Sequence, residues 1–291
     1  MMGDTDSDDE SVGYTHADHK QDGNDSYKKK DYRGAISHYT LAINAAKEEQ
    51  EEDDEDDEDN EFDPGVLASY YNNRAAAYTM ILNYEETISD CNEAINLHPQ
   101  SLKPYIRKAK AQISLGKLDE ALMSLNKAAV HDPNNSTIMS LKNDVQKLKD
   151  RMVLARQLLN KTDSTRDYPP FPLPNTRDGK QALNQLTVVM ASCPAWKSIL
   201  LEKTQALLAT GRFDEAYASS TSLIRSNHHN NSMLLLYRAY ALQQRGDIDD
   251  GKFTEILHGY NIDMHFTDII LICTSHFTSS HIHSNETLET N

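Results

Sequence analysis

Apolar and polar positions follow one another along this chain in blocks that repeat. Three segments align: "GNDSYKKKDYRGAISHYTLAI" (23–43), "AAAYTMILNYEETISDCNEAINLHP" (75–99) and "AKAQISLGKLDEALMSLNKAAVHDP" (109–133). Each opens on a small residue and a helical stretch, then breaks at an Asp, Asn or Lys standing before Tyr or Leu. A second helical stretch with a small side chain inside it follows, and the last two segments close on proline. From Ala75 to Ala109, and from Pro99 to Pro133, the step is 34 residues. The pattern predicts helix–turn–helix units stacked side by side. Gly23, Ala75 and Ala109 let the first helix of a unit, helix A, approach the second, helix B. Ala42, Ala94 and Ala128 serve the next crossing, and Tyr39, Cys91 and Leu125 fill the space between. Pro99 and Pro133 stop helix B. An ordinary helical bundle also spaces apolar residues by three and four, but it has no reason to keep a constant step between small residues.

The spelling continues more weakly. Residues 142–161 predict a long helix, and the four prolines of "DSTRDYPPFPLPNTRDG" (163–179) predict a loop. The stretch 180–194 then reads as a helix B ending on proline. "KSILLEKTQALLATGRFDEAYASSTSLIRSN" (197–227) is another repeat, and 232–249 supplies one more helix A with its turn. Beyond Asp250 the repeat language fades. Phe253, Ile256, Leu257 and Tyr260 keep helical spacing, so a last helix B can stand there. We expect 251–291 to be an atypical, disordered tail, of the kind that a retained intron or a wrong gene model would produce.

Charge refines this picture. The formal net charge is −16, but 17 of the 45 carboxylates lie in two tracts, 4–10 and 48–61, leaving 28 acidic against 29 basic side chains. The folded part is therefore close to neutral, with a disordered acidic N-terminus (1–15) and an acidic insert (48–61) expected to be a solvated linker. No Lys/Arg stripe with interleaved aromatics favours nucleic acid. The apolar runs are too short to span a bilayer, no signal peptide is expected, and three scattered cysteines read as reduced thiols. These features suit a cytoplasmic chain, with the nucleus also open to it. Five histidines between 258 and 283 lack carboxylate or cysteine partners at useful spacing, so we expect no metal site and no cofactor. No nucleophile or phosphate loop is visible, and we expect no catalytic residues, no small-molecule substrate and no enzyme activity.

One stretch asks for a function. "YYNNRAAAY" (70–78) places Asn72, Asn73 and Arg74 directly before three alanines. In register with the small residues, Asn73 lies on helix A of the second unit, Lys20 and Asn24 on helix A of the first, and Lys103 and Arg107 on helix A of the third. Lys20 and Asn24 are four apart, as are Lys103 and Arg107, so each pair shares a helix face. Two ammoniums, one guanidinium and two amides on one surface suit adjacent carboxylates: an acidic side chain beside a free chain terminus. Asn73 is expected to face that surface and Arg74 the outer side. His19 and Asp22 occupy places better suited to large apolar residues, so the first helix is expected to fray and loosen Lys20.

The 34-residue step with its small residues resembles the tetratricopeptide repeat (TPR). The implied fold is all-α, a right-handed TPR α-solenoid of helix–turn–helix repeats, with a three-repeat domain at 16–141 and further repeats at 142–250. The five polar residues resemble the carboxylate clamp of TPR co-chaperones. Residues 16–250 are similar to the repeat region of J-domain co-chaperones that carry two such clamps. That resemblance implies that Lys20, Asn24, Asn73, Lys103 and Arg107 hold the C-terminal Glu-Glu-Val-Asp (EEVD) of heat-shock chaperones of the 70 and 90 kDa classes, in support of protein folding and client transfer. The chain departs from that family in having neither a second clamp nor the His-Pro-Asp of a J domain: His98-Pro99 is followed by Gln100. The alternatives are a general TPR scaffold for other protein partners, or a truncated product without function.

Overall fold

The computed structural model describes residues 14–52, 63–161, 173–225, 232–249, 252–253 and 255. The acidic residues before Tyr14, the prolines at 169–172 and nearly all of the tail lie outside them. The described residues form eleven α-helices and no strand, and none of these helices is long and apolar enough to cross a membrane. Contacts divide the chain into two compact units, Met1–Val145 and Gln146–Asn291.

The first unit is three helical hairpins. They are α1 (His16–Lys28) with α2 (Tyr32–Glu52), α3 (Pro64–Met80) with α4 (Tyr84–Leu97), and α5 (Leu102–Ser114) with α6 (Leu118–His131). The small residues do what their spacing requires. Gly23, Ala75 and Ala109 are buried on the A helices, Ala42, Ala94 and Ala128 on the B helices, and Tyr39, Cys91 and Leu125 lie sealed between them. A Cβ at Gly23 would stand 2.6 Å from the Tyr39 ring, so this crossing tolerates no side chain. α4 ends at Leu97 and α6 at His131, each two residues before its proline.

Each A-to-B turn uses the same backbone device. Lys30, Leu82 and Gly116 hold φ of 64°, 61° and 76°. The next N–H then reaches back to the last turn: Asp31 to Ser26 O at 2.9 Å, Asn83 to Tyr78 O at 3.0 Å, and Lys117 to Gln112 O at 2.8 Å. Glycine fits that left-handed position without cost, whereas Lys30 and Leu82 carry a side chain there.

Two expectations change. The first helix, expected to fray, is formed from His16 to Lys28 and capped at its start. Thr15 and Asp18 close a capping box at its start, the Tyr14 hydroxyl donates to Asp22, and the Tyr14 ring meets His19 edge-on with centroids 4.6 Å apart. Of the acidic insert expected as a solvated linker from residue 48, residues 48–52 are helix, and 53–61 lie outside the described residues. α2 runs 21 residues against 14 in α4 and in α6, carrying 48–52 as helix. Glutamate is a good helix former, and Glu49 gains a partner there, its carboxylate 3.1 Å from His16 Nε2.

The second unit takes up α7 (Ser136–Leu159), whose first ten residues belong to the first unit, and continues with α8 (Thr176–Ser192). A short 3₁₀ turn, Lys197–Ile199, leads into α9 (Leu200–Ala209), followed by α10 (Phe213–Arg225) and α11 (Ser232–Gln244). α8 starts four residues before the expected position because Asn175 accepts from the N–H of Asp178 and caps it. Leu207, Leu208, Ala216, Leu236, Tyr237 and Phe253 form the core of this unit. Gly211 and Gly246 hold the turn position, with φ of 75° and 78°.

Candidate polar site on the A helices of the first unit

α3 is the middle A helix, and polar contacts tie it to both neighbours. On the α1 side, His16 Nδ1 lies 2.6 Å from the Tyr70 hydroxyl, and Lys20 Nζ stands 5.9 Å from the centroid of the Tyr70 ring. On the α5 side, Arg107 Nη1 donates to the backbone carbonyl of Asn72 at 2.9 Å and also to the Asn72 side-chain oxygen. Asn24 is partly buried, and its Oδ1 accepts from the Tyr39 hydroxyl at 2.9 Å. Burial pushes that phenol up to about 12, so it remains a donor. Asn73, between Asn72 and Arg74, is partly exposed and has no hydrogen-bond partner among the described residues. Lys103 is exposed on the first turn of α5 and has no acidic partner among them. The structure thus draws Lys20 and Arg107 onto α3 from opposite sides. Among the described residues no contact joins Lys103 to the other four.

Arg74 departs from expectation. It does not turn outward but enters the junction of α2, α3 and α4. Its Nε donates to Asp90 Oδ2 at 2.9 Å, its Nη2 to Asp90 Oδ1 at 2.8 Å, and its Nη1 to Thr40 Oγ1 at 3.0 Å. The rings of Tyr71 and Tyr78 flank it at 5.4 and 5.9 Å. The Asp90 side chain is only 5% exposed. This is a bidentate, desolvated ion pair. Its partner lies sixteen residues away on the next helix, beyond the reach of a helical-face argument.

The two arginines respond oppositely to similar shelter. Burial pulls both guanidiniums toward losing a proton. At Arg74 the hydrogen bonds and charge of Asp90 more than offset this, and the net direction is up, while burial raises the Asp90 carboxyl against the pull of Arg74. At Arg107 the net direction is down, because burial is opposed only by the weak influence of Cys91 and Tyr27. Among the described residues Arg107 meets neutral oxygens and no carboxylate. A sheltered cation in that state is poised to take an anion. Asn72, which steadies it, was not singled out for that task in the sequence; the doubled asparagine was its only signal.

No protein-family model matches the chain. It is similar to the DnaJ homolog subfamily C member 7 homolog of Dictyostelium discoideum, 26% identical over 225 residues, which cover 75% of this chain and 35% of that protein. It is also similar to Hsp70-Hsp90 organizing protein 2 of Arabidopsis thaliana, 33% identical over 120 residues, 41% of this chain and 18% of that protein. The chain spans about a third of the length of the DnaJ-type relatives it matches. The crystal structure of the P58(IPK) TPR domain aligns with a TM-score of 0.54 at 13% identity, covering 94% of this chain and 67% of that one. That likeness shows the fold: an all-α TPR architecture.

Proposed function

We propose that the first unit is a binding module for the C-terminal acidic tails of heat-shock chaperones of the 70 and 90 kDa classes, and that the chain acts as a co-chaperone adaptor without chemistry of its own. The observation that carries this reading is Arg107: a sheltered guanidinium offered neutral oxygens in a chain rich in carboxylates. In the proposed complex Arg107 grips one carboxylate of the tail bidentately, and Lys103, one turn earlier on α5, adds charge. Asn73 and Asn24 donate amide protons to the terminal carboxylate and main chain, and Lys20 closes the α1 side. Its likeness to a DnaJ homolog and to an Hsp70-Hsp90 organizing protein supports the chaperone assignment.

Charge-assisted hydrogen bonds contribute about 1.5–3 kcal/mol each. Several of them offset the ordering of a short free tail and leave roughly micromolar affinity. The site is open to solvent, so affinity is expected to fall as salt rises. Titration calorimetry with a peptide ending in EEVD tests the reading. Binding should be lost when the peptide is C-terminally amidated, and should mostly disappear in Arg107→Ala and Lys103→Ala while the helical circular dichroism signal persists. Equal binding of the acid and the amide would remove the terminal carboxylate from the account and leave a general TPR scaffold.

A further inference from the structure

The repeat step pairs each position of α3–α4 with one on α5–α6, and the match exposes a second incomplete site. Ala75 corresponds to Ala109, so Arg74 corresponds to Lys108 and Asp90 to Ser124. In the second repeat the cation is held by the carboxylate of Asp90. In the third the cation remains and the carboxylate is gone. Lys108 is partly buried and reaches instead across to α4, where its Nζ donates to Asn92 Oδ1 at 2.6 Å. Ser124 turns to the buried Gln112, donating to its Oε1 at 2.8 Å. The outer rim is altered in the same sense, because Glu93 of the second repeat is replaced by Lys127 in the third. Glu120 is the one acidic residue among those that line the cleft, and the Gln112 amide donates to it at 3.3 Å. Burial, and after it the charge of Lys127, pushes the Lys108 ammonium below its usual range.

These residues line a cleft of about 500 Å³ between α4 and α6, floored by α5. Its walls also carry Ile95, Tyr105 and the exposed Met123. We infer that this cleft is a second binding site, one that takes a peptide segment carrying a carboxylate side chain next to an apolar one. The incoming carboxylate stands where Asp90 stands in the preceding repeat, between Lys108 and Lys127. The apolar neighbour covers Met123 and Ile95. Such a site needs no free chain terminus, which separates it from the tail-binding surface on the A helices.

The probe is a C-terminally amidated pentapeptide alternating Leu and Glu, its N-terminus capped by a fluorescein label, followed by fluorescence anisotropy with the full chain in the presence of saturating EEVD peptide. Binding is expected to persist under saturation. It should weaken at least tenfold in Lys108→Met, in Lys127→Glu, and in Ser124→Asp, which restores the missing carboxylate. Lys127 is exposed, so its substitution leaves the fold intact. Absence of pentapeptide binding, unchanged binding in the Lys127 and Ser124 variants, or displacement by the EEVD peptide would each overturn the proposal. Failure of the tail-binding reading would appear separately, as no EEVD binding with the pentapeptide response retained.

Discussion

The second and third repeats share a register and most of their core, yet they treat positive charge in opposite ways. In α3–α4 the arginine at the helix crossing finds Asp90 within hydrogen-bonding distance on two atoms and is flanked by tyrosines. In α5–α6 the equivalent lysine and the arginine before it, Arg107, meet amide and carbonyl oxygens. One repeat has closed its polar circuit internally and thereby joins α3 to α4. In the other, Arg107 meets no carboxylate among the described residues, and Lys108 hydrogen-bonds to Asn92 while sharing its cleft with Glu120 alone among acids. A charge satisfied within the fold serves stability. A charge left short serves binding, because a ligand carboxylate then gains a partner that water has already partly vacated.

This contrast can be broken most forcefully at Asp90. Asp90→Ala strands the Arg74 guanidinium and should cost about 3–5 kcal/mol of stability, read by chemical denaturation. A loss below roughly 1 kcal/mol would mean that the pair contributes no more than an exposed one and does not hold α3 to α4. Arg107→Met, which keeps an apolar stem, should do the reverse. Stability should shift by no more than about 1 kcal/mol, while EEVD affinity drops by ten- to a hundredfold, the equivalent of one charge-assisted contact. Asn72→Asp sharpens the comparison by giving Arg107 the carboxylate that Arg74 already has. We expect a gain of about 1 kcal/mol in stability with roughly tenfold weaker peptide binding, measured on one sample by denaturation and calorimetry. The smallest effect is expected at Leu82. It is 69% exposed and holds a left-handed backbone, so Leu82→Gly should raise stability by up to about 1 kcal/mol and leave affinity untouched. A change in affinity there would show that backbone strain and ligand binding are coupled.

The hairpins were readable in the sequence because their determinants are local and periodic. Small residues must recur where helices cross, and prolines must fall where helix B ends. The helix placement of the candidate residues was legible from register: Lys20 and Asn24 lie on α1, Asn73 on α3, and Lys103 and Arg107 on α5. What escaped was pairing at a distance. Nothing short-range tells Arg74 to turn inward to Asp90, because the pair forms only after α4 folds back on α3. The role of Asn72 is hidden likewise in the approach of α5. The extension of α2 through Glu52 was masked by composition: a run of acids reads as a solvated linker until Glu49 meets His16. The early start of α8 depended on a single cap, Asn175, lost among the surrounding prolines.

The hydrogen bond from Tyr39 to Asn24 carries a consequence for selectivity. A carboxamide has an accepting end and a donating end, and Tyr39 occupies the accepting end from inside the first hairpin. Its nitrogen is therefore the end turned away from that contact. Burial pushes the Tyr39 phenol up to about 12, so it stays protonated and able to donate to Asn24 Oδ1. In the proposed site, that amide nitrogen is the donor Asn24 offers to an ionised chain end.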